Sequence, residues 1–101
     1  MKKDKGKEVQ KISESAKIPK FLEVKIFYSP AIGKELFQER ATAVSSQNRL
    51  GDFDILPGHA NFITLCFGTL IIHTLEKKIN FQFERGVLEV SEDKVNVFLG
   101  L

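Results

Sequence analysis

The clearest strand signal in this chain is the stretch Ile79-Asn80-Phe81-Gln82-Phe83-Glu84. Apolar and polar side chains alternate along it with a period of two, so its three apolar side chains point to one face and its three polar side chains to the other. An amphipathic helix would instead repeat every three to four residues. The stretch therefore predicts a β-strand with one face in the core.

The same alternation predicts strands on both sides of this one. Residues 21–28 place Leu22, Val24 and Ile26 on one face. Residues 87–90 and 94–99 repeat the pattern, and the turn-forming residues between them predict a hairpin.

Residues 62–67 and 69–75 flank Gly68 and are apolar nearly throughout. This composition is typical of strands that are covered on both faces. Residues 76–78 are all charged and predict an exposed turn. Short strands at this spacing, without a long helical repeat, predict an all-β fold: a β-sandwich of two sheets with about eight to ten short strands.

Residues 34–44 are ambiguous. Leu36, Phe37, Arg40, Ala41 and Val44 stand at helical spacing, and intrinsic propensity favours a helix. We predict strands here instead, because residues 41–44 alternate small apolar residues with β-branched ones, and because the family resemblance described below places two strands in this segment.

Composition limits the function classes. The 101 residues are 43% apolar and 28% charged, as in one soluble globular domain. Cys66 is the only cysteine and indicates a reducing compartment, and the longest apolar runs are too short to cross a bilayer. No apolar run of signal-peptide length follows the basic N-terminus.

Charge divides the chain in two. Residues 1–20 carry seven lysines against three acidic residues, a net charge of +4, and lack apolar periodicity, so we expect a disordered basic extension. Residues 21–101 carry eight Lys and Arg against ten Asp and Glu, a net charge of −2, and form the expected folded domain. A mildly acidic body disfavours nucleic acid as a partner, because that binding depends on cations that neutralise phosphates.

One segment carries a specific motif. Residues 51–64 read Gly51-Asp52-Phe53-Asp54-Ile55-Leu56-Pro57-Gly58-His59-Ala60-Asn61-Phe62-Ile63-Thr64. Pro57 has a fixed φ and Gly58 can adopt a positive φ, so the pair predicts a stiff turn between two strands. The motif resembles the N-terminal β-sandwich domain of the epsilon subunit of rotary F-type ATP synthases, and the segments at 22–26, 68–70 and 86–90 are similar to that family in the same order.

The resemblance implies a non-catalytic part of the rotor. It implies that the sandwich binds the gamma subunit, the rotor shaft, and touches the polar loops of the membrane c-ring, coupling ion transport to ATP synthesis. By the same analogy Gly51 and Asp52 face the ring and His59 lies near the gamma contact, although His59 is equally well explained as a cap of its own turn. We expect no cofactor and no metal, and a cytoplasmic position at the inner face of an energy-transducing membrane.

The chain departs from the family pattern at four places. The first turn, residues 28–34, is about three residues longer than usual. Arg85 replaces a small residue and Asp54 replaces a glycine. The sequence also ends at Leu101, so we do not expect the inhibitory C-terminal helices that many family members carry.

Two alternatives stay open. The first is an epsilon-like adaptor that binds another protein. The second is a cupin-like metalloenzyme with His59, His73 and Cys66 as ligands, which the scattered spacing disfavours. The nine phenylalanines either fill the core or leave an aromatic surface for a partner, and Phe27 and Phe62 are the two least clearly internal.

Overall fold

The structure, a computed structural model, describes residues 20–28 and 34–100. The predicted extension, up to residue 19, and most of the long first turn, residues 29–33, lie outside the described residues. Seven strands make up the described fold, and they are β1 Leu22–Tyr28, β2 Lys34–Ala41, β3 Ala43–Asn48, β4 Gly51–Ile55, β5 Phe62–His73, β6 Lys78–Ser91 and β7 Lys94–Leu99. The predicted all-β fold class is confirmed.

Hydrogen bonds join the seven strands into one sheet in the order β2-β1-β7-β6-β5-β3-β4. All neighbours are antiparallel except β1 and β7, which run parallel with Val24 opposite Val95. The predicted hairpin of residues 87–90 and 94–99 forms the end of β6 and the whole of β7.

The sheet folds back on itself because its two longest strands are irregular at the same place. Phe67 of β5 pairs with Arg85 of β6, but the next residue, Gly68, pairs with Phe83, so Glu84 has no partner across the ladder. Gly68 has a φ of +89°, a conformation that favours glycine. A bulge of this kind lets one strand pass from one layer of a sandwich to the other.

The two layers are therefore halves of one folded sheet. The first layer contains β2, β1, β7 and residues 86–91 and 62–67; the second contains β3, β4 and residues 78–83 and 68–73. Aromatic rings that are distant in the ladder meet between the layers: Phe37 of β2 packs edge-on against Phe81 of β6, with ring centroids 5.2 Å apart. Residues 20–28 and 34–100 contain seven strands, below the expected eight to ten, because β5 and β6 each continue through what the sequence presents as two strands.

The core lies between the layers and contains side chains from all seven strands. Every second residue of β1 and β7 is buried, as their alternation predicts. The buried hydrophobic residues are Leu22, Val24, Ile26, Ala41, Val44, Ile55, Cys66, Leu70, Ile72, Leu88, Val90, Val95, Val97 and Leu99.

The helix-like segment at residues 34–44 is extended, as predicted. Residues of β2 pair with β1 from Tyr28 opposite Lys34 to Leu22 opposite Ala41, and β3 begins after a break at Thr42. Phe37 packs against the core and Ala41 is fully buried within it. Tertiary packing therefore overrides helix propensity here.

One expectation about burial is wrong. The composition of residues 62–67 predicts a strand covered on both faces, but Ile63 is 69% and Leu65 45% exposed. These two side chains point away from the core on the outer face of the first layer, while Cys66 points into it. An apolar run therefore faces outward at this position.

Strand direction defines two ends of the sandwich. The hairpin end holds the β3–β4 turn at Arg49 and Leu50, together with the bend of β5 at Gly68. The corner end holds the loop of residues 56–61 and the β6–β7 turn at Glu92 and Asp93. These two ends and the outer face of the first layer carry the candidate sites.

Candidate protein-binding surfaces

The motif forms a tight corner between β4 and β5. The His59 amide donates a 3.0 Å hydrogen bond to the Leu56 carbonyl, which closes a four-residue turn around Pro57 and Gly58. Gly58 has a φ of +88°, and proline followed by a glycine at positive φ is the sequence of a type II turn. The structure thus has a turn at the position that the sequence suggests.

The corner is tied to the β6–β7 turn. The Gly58 amide donates a 2.7 Å hydrogen bond to Oδ1 of Asp93. The Asn61 side chain donates to Oε2 of Glu92 at 3.1 Å and accepts from the Glu92 amide at 2.9 Å. The Asp93 carbonyl also accepts the Glu23 amide at 2.9 Å, so three segments meet there.

This β6–β7 turn is strained. Glu92 has a φ of +51° and Asp93 a φ of +63°. Two-residue hairpin turns with both central residues at positive φ usually contain glycine or asparagine, because side chains with a Cβ cost energy there. The bonds from Gly58 and Asn61 offset part of that cost, so the corner and the turn hold each other in shape.

His59 is exposed on this corner. Its Nδ1 lies 2.8 Å from the Ala60 carbonyl, which can only accept, so Nδ1 carries a proton. Its ring also lies 4.9 Å from the Phe62 ring, measured between centroids. The histidine is therefore held in place by its own loop while remaining exposed to a partner.

Gly51 and Asp52 lie at the hairpin end. Gly51 has a φ of +123° and pairs with Asn48, and Asp52 pairs with Gln47 and is exposed. The tip between the strands presents Leu50, which is 96% exposed. The structure does not bring this pair together with His59, because β4, about 13 Å long at about 3.3 Å per residue, lies between them.

A row of apolar side chains crosses the outer face of the first layer. Leu65 pairs with Val87, Val87 with Phe98, and Phe98 with Phe27, so the row runs over β5, β6, β7 and β1. The rings of Phe27 and Phe98 stack with centroids 5.2 Å apart and planes 14° from parallel. We call these four residues the apolar row.

The apolar row has a defined border. The next row toward the corner end pairs Ile63 with Glu89, Glu89 with Asn96, and Asn96 with Lys25. Its polar members lie on the same outer face, and Asn96 donates a 3.3 Å hydrogen bond to Oε1 of Glu89. An apolar stripe with a polar rim is the usual anatomy of a protein interface.

The sequence predicts only part of this surface. Of the two rings that the sequence leaves least clearly internal, Phe27 faces outward, whereas Phe62 packs against the core and lies 6.2 Å from the Phe53 ring, measured between centroids. The apolar row depends on the register of four strands, which alternation within one strand does not reveal.

The three side chains of the alternative metal site lie in separate parts of the fold. His59 is on the corner, Cys66 is buried in the core, and Nε2 of His73 lies 2.9 Å from the Ser45 hydroxyl. That hydroxyl donates a 2.6 Å hydrogen bond to Asp54, so a polar bridge links β5, β3 and β4. Among the described residues there is no cluster of three or more His, Cys, Asp or Glu side chains that could hold a metal ion.

Burial raises the pKa of the Cys66 thiol, because the charged thiolate loses its solvation in the core. Hydrogen bonds from Ser46 and from the Gly86 backbone act in the opposite direction and offset part of the shift. The thiol is therefore a packed core group and not a reactive one.

In the described part of the chain, no helix is long and apolar enough to span a membrane.

Comparison with known proteins identifies the fold and its family. A family model described as the ATP synthase delta/epsilon chain β-sandwich domain matches residues 31–99. The ATP synthase epsilon chains of Geobacter sulfurreducens and Geobacter metallireducens are each 33% identical over 67 residues, which is 65% of this chain and 49% of each relative. The chain thus spans about half the length of these curated relatives.

Solved structures show the same fold at lower identity. A chain of the Euglena gracilis mitochondrial ATP synthase, in an OSCP/F1/c-ring structure, superposes with a TM-score of 0.71 at 20% identity over 81% of this chain and 52% of that one. A chain of the Tetrahymena thermophila mitochondrial ATP synthase central stalk and c-ring gives 0.63 at 14% identity over 77% and 62%. Together with the match over residues 31–99, these findings show that the chain belongs to the family of ATP synthase delta/epsilon β-sandwich domains.

Proposed function

We propose that this protein is a non-catalytic subunit of the central stalk of an F-type ATP synthase, where it links the gamma subunit to the c-ring and helps couple ion transport to ATP synthesis. Its family membership and the epsilon chains that it resembles support this role. The central stalk and c-ring assembly that contains one of its structural neighbours supports the same position in the complex.

The apolar row is the observation that carries the proposal. Val87, Phe98 and Phe27 lie on the outer face of the first layer and are only partly covered by the chain itself, and Leu65 is 45% exposed. A partner that covers the row removes apolar surface from water, which stabilises a complex by about 25 cal/mol per Å² before the costs of association. We assign the row to the gamma subunit, because a shaft contact must stay closed while torque is applied.

His59 belongs to the same contact in this proposal. Ile63 lies on β5 between Leu65 and the corner, and its side chain is 69% exposed on the outer face. Ile63 thus extends the exposed apolar surface from Leu65 toward the corner end, where His59 lies. A shaft element that lies along β5 reaches all three.

The hairpin end is assigned to the c-ring. Asp52 provides an exposed carboxylate beside the β3–β4 tip, and Gly51 has no side chain that would keep a loop of the ring away. A polar contact of this kind contributes orientation and specificity more than affinity. The ring loops and the shaft then hold different ends of one body.

The rigidity of the fold couples the gamma contact to the c-ring contact. The corner is fixed by the Gly58 and Asn61 hydrogen bonds, and the hairpin is fixed to β5 through the bridge of Ser45, Asp54 and His73. Ser46 adds a 2.7 Å hydrogen bond to the Thr69 carbonyl. A body braced in this way transmits a force between its ends without absorbing it. In the assembled enzyme it lies on the cytoplasmic side, peripheral to an energy-transducing membrane.

Affinity purification of the tagged chain from its own host tests the proposal. We expect the gamma subunit and the c-ring to be recovered together with it. The variant Val87→Asp is expected to recover neither the gamma subunit nor the c-ring. The variant Asp52→Lys is expected still to recover the gamma subunit, but to lose the c-ring when the sample is washed with salt. Recovery of neither gamma nor the ring by the unmodified chain would refute the assignment.

A further inference from the structure

The first half of β5 is an unprotected sheet edge. Residues 62–67 pair with β6 on one side, from Phe62 opposite Val90 to Phe67 opposite Arg85. On their other side the described part of the chain places no strand, because β3 joins β5 only at residues 71–73. The Leu65 carbonyl instead accepts a 3.0 Å hydrogen bond from the Thr64 hydroxyl.

This edge lacks the usual protection. Natural sheet edges are normally guarded by charged residues, prolines or short length, which prevent pairing with another chain. Phe62-Ile63-Thr64-Leu65-Cys66-Phe67 contains no charge and no proline. Its outward side chains at Ile63 and Leu65 are among the most exposed large apolar groups of the described fold.

The strands at the two ends of the ladder, β2 and β4, are guarded. Antiparallel pairing of two copies about a two-fold axis must place one residue opposite its own counterpart. In β4, pairing centred on Phe53 places Asp52 opposite Asp54 of the second copy, and like charges in direct opposition are destabilising. β2 carries Glu35, Glu39 and Arg40, charged residues of the kind that protect natural sheet edges.

The β5 edge is complementary to itself. Pairing centred on Thr64 places Ile63 of each copy opposite Leu65 of the other, and Thr64 opposite Thr64. Aliphatic pairs and threonine pairs both stabilise adjacent antiparallel strands. No like charges meet anywhere along residues 62–66 in this register.

We propose that two copies of this chain associate through the β5 edge, with residues 62–66 paired antiparallel around Thr64. The first layer has five strands, so the dimer contains a continuous layer of ten. The inference does not depend on the proposed place in the synthase, because it requires no other protein. Its occupant is a second copy because residues 62–66 pair with their own counterparts without placing a charge or a proline in the new ladder.

Sedimentation of the purified chain over a range of concentrations tests the association. We expect a reversible monomer–dimer equilibrium, and we expect Leu65→Lys to weaken it at least about tenfold by placing a charge at the edge. The matched control is Val87→Lys, which adds the same charge to the same outer face on an interior strand and should leave the dimer intact. Circular dichroism verifies that each variant is folded.

Three outcomes would overturn the proposal: a monomer at every concentration, a dimer unaffected by Leu65→Lys, or equal weakening by Val87→Lys, which would indicate stacking of faces.

Disulfide crosslinking tests the register separately. Thr64→Cys should form an intermolecular disulfide under mild oxidation, because opposed residues have Cα atoms about 4.5 to 5.5 Å apart, within disulfide range. Leu65→Cys faces Ile63 and should not, so crosslinking at Leu65→Cys alone would contradict the register.

Discussion

The backbone amide of Gly58 donates a 2.7 Å hydrogen bond to the carboxylate of Asp93, although the two residues are 35 positions apart in the chain. Gly58 belongs to the turn that closes the sequence motif, and Asp93 belongs to the strained turn between β6 and β7. One bond therefore connects the two turns of the corner end. The exposed His59 follows Gly58 directly, so its position depends on this connection.

Removing the Asp93 carboxylate should loosen the corner. We expect Asp93→Ala to lower the free energy of unfolding by about 1 to 3 kcal/mol, because it deletes the acceptor of the Gly58 amide and removes the short polar side chain that lets Asp tolerate positive φ. Asp93→Asn retains a side-chain oxygen and tolerates this backbone conformation, so its loss should be much smaller. Chemical denaturation of both variants measures the difference, and equal losses would show that the bond to Gly58 contributes nothing.

Gly86 and Gly58 are required for different reasons. A Cβ at Gly86 would lie 2.7 Å from the Phe98 carbonyl oxygen and 2.9 Å from Cδ2 of Leu99, whereas one at Gly58 would meet nothing within 4 Å. Gly86→Ala must therefore push β7 away from β6, and we expect a loss of more than about 2 kcal/mol. Gly58→Ala should lower the free energy of unfolding only by the cost of a Cβ at positive φ, about 1 to 2 kcal/mol. Thermal unfolding ranks the two, and the reverse order would contradict the close approach of β6 and β7.

Cys66 should make stability depend on pH in the alkaline range. Burial raises the pKa of its thiol in the folded protein above the ordinary value of 9.0. The unfolded chain then releases the thiol proton at lower pH than the folded chain does, so the stabilising contribution is complete below pH 9 and is lost as the pH rises beyond it. Cys66→Ala should remove this component, so the unfolding free energy of the unmodified chain should decline more steeply above pH 9. Parallel slopes for the two proteins would refute the shift.

Local alternation was sufficient to predict much of the fold. The stretch from Ile79 to Glu84 and the hairpin around residues 91–93 depend on side chains within one or two strands, and both are present. The extended state of residues 34–44 required more, because the local pattern is helical and only packing of Phe37 and Ala41 into the core explains it. The local sequence pattern therefore predicts that a segment is a strand, but it does not predict that two such segments join into one long strand, as they do in β5 and β6.

The candidate site was harder to predict for the same reason. Gly68 resembles a turn between two strands, yet it lies inside β5, at the point where Glu84 forms a bulge in the neighbouring β6. The apolar row exists only when Val87 is aligned with Phe98 and Phe27, and the bond from Gly58 to Asp93 depends on contact between distant turns. Alternation gives the face of each residue but not its neighbour on the next strand.

Binding to isolated gamma subunit tests the central claim most directly. Calorimetric titration of gamma from the same organism with this chain should show saturable binding, and Phe98→Asp or Val87→Asp should weaken it by about a hundredfold or more, since a charge would be buried in the contact. The matched substitution Ser91→Asp, on the same strand and outer face as Val87 but opposite Lys94 and outside the apolar row, should change it little. Undetectable binding, or equal affinity for the row variants and the unmodified chain, would contradict the account.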